Sequence, residues 1–259
     1  MLKLRKGLRV ENLRLPFKKA LPVAAELGAE GIEVNARSEF RPGEISKTGV
    51  RHIRKMLEDH NLTICSLQFP TRRGYAEASD LEARIEATKA AMRLAYELGC
   101  GHVSNFVGRI DLEDQSNILQ EALTDLGIFG TKVGARFAIR TGPADGETLK
   151  GLLARLPMAS IAIDFDPAEL IINEKSPGEV LKDVGEHVVH FRARDAVRDL
   201  SLGQGIPVQL GRGSVDLAEL LSVLEEKHYG GFLTIDQPGI NDAIIENHES
   251  LEYLQQLFA

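Results

Sequence analysis

The chain has 259 residues, 43% hydrophobic and 27% charged, with a net charge of -7 at neutral pH. That length fits one large barrel or two small domains, the apolar and charged fractions are those of a globular protein, and the acidic balance argues against a nucleic-acid partner gripped through its backbone. No apolar run follows the basic start at residues 1–6 and none reaches the ~18 residues of a membrane span, so a cytoplasmic protein with no signal peptide and no membrane partner is expected.

Short apolar runs alternate with amphipathic segments along the whole chain. Residues 7–10 predict a first strand. Residues 17–27 follow as a helix, with Pro16 at its start and Gly28 just past its end, the punctuation expected of helix termini. Residues 31–34 read as a second strand, 45–60 as a second helix and 62–67 as a third strand. The segment 80–98 carries an apolar stripe of Leu81, Ile85, Met92, Ala95 and Leu98, with Asp80 as the expected N-cap and Gly99 ending it. Strands at 102–107, 135–140 and 160–166 alternate with helices at 115–133 and 146–156 and with short helical pieces at 168–172 and 178–184.

The apolar run from His187 to Phe191 enters the charged sequence Arg192-Ala193-Arg194-Asp195 and predicts strand seven. A polar loop over 199–213, a helix over 217–227 capped by Asp216, a strand over 231–236 and a helix over 242–258 complete the chain. Cys65 and Cys100 lie in apolar segments and read as buried thiols. Eight strand–helix repeats with no break in composition predict an α/β protein, a single (β/α)8 TIM barrel spanning 1–259. An open doubly wound sheet ranks second, because no glycine-rich dinucleotide turn follows the first strand and Gly203-Gln204-Gly205 reads as an ordinary loop.

In such a barrel the site forms where the strands end. Those ends carry Glu33, Gln68, Asn105, Arg140, Asp166, Arg192 with Arg194 and Asp195, and Asp236. Gln68 and Asn105 serve equally well as loop residues facing water. The charged groups do not, since ions in a barrel mouth must satisfy one another or a ligand. Of the seven histidines, only His190 is expected to point into the barrel, as a satisfied core residue below the mouth.

The order of motifs resembles the xylose isomerase-like barrels, the sugar phosphate isomerases and epimerases with their relative, the endonuclease IV type of repair enzyme. The residues that carry it are Leu27-Gly28-Ala29-Glu30-Gly31-Ile32-Glu33, Tyr96-Glu97-Leu98-Gly99-Cys100, Asp164-Phe165-Asp166-Pro167, Arg192-Ala193-Arg194-Asp195, Gly211-Arg212-Gly213-Ser214-Val215-Asp216 and Tyr229-Gly230-Gly231-Phe232-Leu233-Thr234-Ile235-Asp236. The resemblance implies a divalent metal at the mouth, held by a glutamate, an aspartate, a histidine and a glutamate ending strands five to eight. By position these ligands fall on Arg140, Asp166, Arg192 and Asp236, a further histidine falls on Glu169, and the lysine after the strand-seven histidine falls on Arg194.

Arginine offers no lone pair to a metal and stays protonated, so two of the four ligand positions repel a cation. Three readings follow. In the first, Arg140 and Arg192 pair with Asp166, Glu169 and Asp236, giving a catalytically altered or inactive relative with no metal and no other cofactor. In the second, Arg140, Arg192 and Arg194, with Asp166, Asp195, Gln68 and Asn105 in the same substrate site, grip an anionic sugar or sugar phosphate. Asp236, Glu33 or Glu169 is then the acid–base group of a metal-independent isomerase, epimerase or lyase. In the third, the strand register differs by a residue or two, Asp164 or Asp195 takes a neighbour's place, and Glu33 joins Asp166 and Asp236 around Mn²⁺, Mg²⁺ or Zn²⁺.

Overall fold

The strands form where near-continuous apolar runs can be buried on both faces, as parallel strands under a helical layer require. In this computed structural model, which describes residues 5–114, 116–158, 160–199, 204–237 and 242–257, every apolar run singled out above becomes a barrel strand. The strands are β1 (Arg5–Arg9), β2 (Gly31–Asn35), β3 (Thr63–Gln68), β4 (His102–Asn105), β5 (Arg136–Arg140), β6 (Ile161–Phe165), β7 (Val188–Ala193) and, eighth in the barrel, β10 (Phe232–Ile235). They close in the order β1-β10-β7-β6-β5-β4-β3-β2 with parallel pairing throughout, so the expected single (β/α)8 barrel is the observed fold.

The helices are α1 (Phe17–Glu26), α2 (Lys47–Asp59), α3 (Leu81–Glu97), α4 (Ile118–Val133), α5 (Gly146–Ala154), α6 (Pro167–Ile172), α7 (Pro177–Val184), α8 (Leu217–Glu226) and α9 (Ala243–Leu257). Each turns an apolar stripe onto the barrel; in α2 it is Val50, Ile53 and Leu57, and the helix starts where Ser46 Oγ accepts the Gly49 amide at 3.1 Å. Asp216 caps α8 as expected, accepting from the Glu219 amide at 2.9 Å. Among the described residues no helix is long and apolar enough to cross a membrane.

Two expectations change. Asp80 makes no cap hydrogen bond; it takes a left-handed conformation at φ 54°. The turn entering α3 is held instead by the Arg84 guanidinium, which donates to the carbonyls of Ser79 and Glu77. The segment read as a polar loop supplies the second strand of a hairpin: β8 (Asp195–Asp199), directly after strand seven, pairs antiparallel with β9 (Gln204–Val208), and Val197 faces Ile206 across the ladder. Gly205 brings this hairpin onto α6, since a Cβ there would come within 2.8 Å of Ile172 Cα. Gly203, Gln115 and Phe258, which entered the loop and helix readings, lie outside the described residues.

The barrel interior departs from the usual filling of branched aliphatic layers. Gly7 on β1 gives way to Thr234 on β10, whose hydroxyl would collide with any Cβ at that position. Thr234 Oγ1 in turn meets His190 Nε2 at 2.8 Å and Cys65 Sγ at 3.4 Å, so a polar layer crosses the barrel below its mouth. Cys65 and Cys100 are both buried free thiols, as expected.

Candidate functional site

The mouth is built around Arg192. β7 carries it inward with no exposed surface, and it is the largest fully buried side chain among the described residues. Its guanidinium forks onto Glu33 of β2, with Nη1 to Oε1 at 2.9 Å and Nη2 to Oε2 at 2.7 Å. Nε donates to Asp164 Oδ2 at 2.8 Å, and Nη1 also reaches Asp236 Oδ2 at 2.6 Å. One cation thus holds carboxylates from three strand ends, in the planar two-point geometry that suits arginine and that lysine cannot copy.

Three more arginines surround it. Arg140, at the end of β5, donates to Asp166 Oδ2 through Nε at 2.9 Å and Nη2 at 2.5 Å, and lies 3.5 Å from Asp236. Arg194 donates to the same Asp166 oxygen at 2.5 Å and sits 3.6 Å from Glu169. Arg9 closes the ring from β1, bonding Asp236 Oδ1 at 3.0 Å and Glu11 Oε2 at 2.6 Å. Asp166 Oδ1 meanwhile caps α6 by accepting the Glu169 amide at 3.1 Å.

Below this ring His190 bonds Asp164 Oδ1 through Nδ1 at 2.8 Å, and Ser104 donates to the other Asp164 oxygen. His190 is therefore the satisfied core histidine foreseen. It is not the only one facing inward: His102, at the start of β4, places its ring 5.4 Å from that of His190.

Burial alone would raise the carboxyl groups of Asp164, Asp166 and Asp236. Arg192 beside Asp164 and Asp236, and Arg194 beside Asp166, outweigh it and hold all three below the usual carboxylate range. Burial likewise works against the charge on Arg192, but Asp164, Glu33 and Asp236 keep it firmly protonated. His102 has no such partner: burial first, and His190 next, lower it to about 3.

That difference sets a pH window. A histidine lowered in the folded state contributes stability that is present above the unfolded value of ~6.5 and is lost as pH falls toward the folded one. The aspartates do not begin to respond until pH drops below ~4. Between pH 7 and 4.5 the wild type should therefore lose about 2 kcal/mol that a His102→Leu protein keeps. Calorimetric melting of both proteins across that interval measures it; parallel curves would mean that His102 takes up its proton in the folded protein.

Of the residues expected at the site, the structure brings together Glu33, Arg140, Asp166, Arg192, Arg194, Asp236 and Glu169. Their pairing differs from the reading in which Arg192 joins Asp166 and Glu169: Arg192 takes Glu33, Asp164 and Asp236, leaving Asp166 to Arg140 and Arg194. Asp195 faces elsewhere, accepting the backbone amides of Ala196, Gly211, Gly213 and Val215 at 2.7–3.1 Å and so tying down the loop behind the hairpin. Asn105 donates to Thr71 Oγ1 at 2.9 Å and Tyr75 Oη at 3.1 Å and accepts from the Phe106 amide, while Gln68 is buried on the β3 wall. Arg9 escaped the sequence reading, and Asp164 entered it only as an alternative to its neighbour, not as a member of the site beside Asp166. Asp164 stands two residues before Asp166, the spacing that puts both on one face of a strand, and Arg9 ends β1 as the other polar residues end theirs.

The donor set can be tested against a divalent ion. Such an ion needs several carboxylate or imidazole donors converging on one point. Among the described residues no group of three or more His, Cys, Asp or Glu side chains is so placed; the carboxylates of the mouth converge on guanidinium groups.

A family model described as xylose isomerase-like TIM barrel matches residues 21–257. The inosose dehydratase of Clostridium botulinum is 24% identical over 250 residues, which cover 85% of this chain and 81% of that protein. The uncharacterized protein MJ1311 of Methanocaldococcus jannaschii is 25% identical over 199 residues, 66% of this chain, and the match spans only 62% of that relative's length. A xylose isomerase domain protein from Planctomyces limnophilus superposes with a TM-score of 0.85 at 20% identity, covering 98% of this chain and 96% of its own.

Proposed function

Because the chain belongs to the xylose isomerase-like TIM barrel family, we propose that it is a sugar isomerase/epimerase-like barrel that works without a divalent metal and binds a neutral carbohydrate at its mouth. The observation that carries this reading is Arg192, fully buried and bonded to Glu33, Asp164 and Asp236 at 2.6–2.9 Å. Its guanidinium supplies, from within the protein, the positive charge that a metal ion brings to a ring of carboxylates.

The donor set speaks against the metal itself. A cation entering the mouth would have to displace Arg140 from Asp166 and Arg192 from Asp236, and two of the positions expected to ligate would remain positive. The same pairing weakens the proton-shuttle role considered for Asp236 and Glu33. Asp236 is held ionised by Arg192, Arg140 and Arg9. Asp236, locked in that state, is a poor acid and a weak base near neutral pH, and Glu33 has both oxygens already engaged by Arg192. Glu169 is the least constrained acid, 26% exposed and no closer than 3.6 Å to Arg194. Any acid–base chemistry that the site retains rests on it.

Neutrality of the ligand follows from charge. Arg9, Arg140, Arg192 and Arg194 face Glu33, Asp164, Asp166 and Asp236 in equal number, with Glu11 and Glu169 at the rim. Each guanidinium already has a carboxylate, so a phosphate or sugar acid must compete with an internal anion, whereas hydroxyl groups need not.

Two measurements test this. Dialysed protein titrated with Mn²⁺, Mg²⁺ and Zn²⁺ should show no stoichiometric uptake. Neutral hexoses and cyclic polyols at about 100 times their Kd should raise the melting temperature by roughly 5–10 °C, with the corresponding phosphate esters binding more weakly. One tightly bound metal ion per chain, or a marked preference for the phosphates, overturns the reading.

A further inference from the structure

The wall of the mouth formed by β2, β3 and β4 differs from the rest. Strand register pairs Glu33 with Ser66 and Gln68 with Ser104. Register partners in parallel strands face the same side, and Glu33 and Ser104 face inward, where they bond Arg192 and Asp164. Ser66 and Gln68 therefore face the interior too, at 0% and 6% exposure.

Neither Ser66 Oγ nor Gln68 Oε1 has a hydrogen-bond partner among the described residues. Buried polar atoms are nearly always bonded, and each exception calls for a reason. General looseness is not the reason here, because the neighbouring Asn105 has both ends of its amide engaged, and opposite, on β5, β6, β7 and β10, every charged group of the mouth is paired. Other buried side-chain atoms without a partner, His102 Nε2 and Asn247 Oδ1 among them, lie on separate elements, whereas Ser66 and Gln68 share the inward face of β3, toward the end of the barrel where ligands bind.

We infer that Ser66 and Gln68 form the subsite that reads the hydroxyl groups of the neutral carbohydrate proposed above, and so decide which stereoisomers the mouth accepts. The inference rests on that reading of the ligand. An amide oxygen can only accept, so the group facing Gln68 must be a donor. An alcohol O–H meets this requirement, whereas a carboxylate, an ionised phosphate or a ketone oxygen does not. Ser66 accepts or donates and tolerates either orientation of its partner.

The test uses the whole chain and a panel of neutral ketohexoses, D-fructose among them, and cyclic polyols, carrying forward whichever sugar wild type binds most tightly. Gln68→Met keeps the length of the side chain and removes the acceptor; Ser66→Ala removes the hydroxyl. Each variant should weaken that sugar at least tenfold in titration calorimetry while melting, without sugar, no lower than wild type. The deoxy analogue lacking the hydroxyl read by Gln68 should bind wild type and Gln68→Met alike. Equal affinity of wild type and both variants for the parent sugar would assign these atoms to water, overturning the subsite and leaving the carbohydrate reading in place. Failure of wild type to bind any of the panel overturns both.

Discussion

Arg192→Met should unfold about 10 °C below the wild type at pH 7. The substitution keeps most of the apolar volume and deletes one charge, but it strands Glu33, Asp164 and Asp236, which are buried to 0–3% exposure and share that guanidinium. Breaking a buried ion pair from one side costs about 3–5 kcal/mol, because the surviving charge has lost both water and its partner. In a chain of this size each kcal/mol moves the midpoint by roughly 2–4 °C. Arg140 and Arg9 still touch Asp236, so the deficit falls chiefly on Glu33 and Asp164.

The pH dependence identifies the cause. In wild type the lowered aspartates contribute stability that is complete above their unfolded value of ~3.9 and is lost only below it. Without Arg192, burial is no longer opposed and the stranded carboxyls take up protons at higher pH. The gap between the two melting curves should therefore narrow as pH falls from 7 to 4. Neutralising the orphaned acids, as in Arg192→Met with Glu33→Gln and Asp164→Asn, should recover part of the loss at pH 7. A deficit that is independent of pH and unrelieved by the triple change would mean that packing of the Arg192 stem, rather than its charge, holds the barrel.

The barrel was legible because its signal is repeated. Eight apolar runs separated by amphipathic segments leave little choice of topology, and an error of a residue at any boundary does not alter the count. The site was less forgiving. Ending the first strand on Val10 instead of Arg9 hid a cation that bonds Asp236, and assigning Asp166 to the end of strand six left Asp164, which lies deeper on the same face, only as an alternative to it when both belong to the site. The register shift between β6 and β7 at Asp164 sets it opposite His190, and a sequence carries no mark of such a shift. Asp195 illustrates the converse. Its position after Arg194 suggests the site, yet its carboxylate is spent on backbone amides of a loop 16–20 residues further along the chain. Which acid pairs with which arginine depends on the stagger of strands around a closed barrel, and that is a property of the whole sheet.

The same geometry predicts that Arg192→His will not convert the mouth into a metal site, whereas Arg140→Glu combined with Arg192→His will. After the single change Arg140 still donates to Asp166 at 2.5 and 2.9 Å and lies 3.5 Å from Asp236, so the two aspartates that a metal would need remain engaged by a cation. The second change removes that competitor and puts a carboxylate in its place. The inner ring then holds Glu33, Asp164, Asp166, Asp236 and the new glutamate against only Arg9 and Arg194. Three uncompensated negative charges favour a divalent ion as strongly as the wild-type balance opposes one, and carboxylate and imidazole supply the lone pairs that guanidinium lacks. Calorimetry with Mn²⁺ should accordingly give no uptake in wild type, none in Arg192→His, and one ion per chain in the double variant. Equal uptake by the single and double variants would show that Arg140 does not guard Asp166 and Asp236. Lack of uptake by the double variant would place the barrier in Arg9 and Arg194, whose hold on Asp236 and Asp166 neither substitution touches.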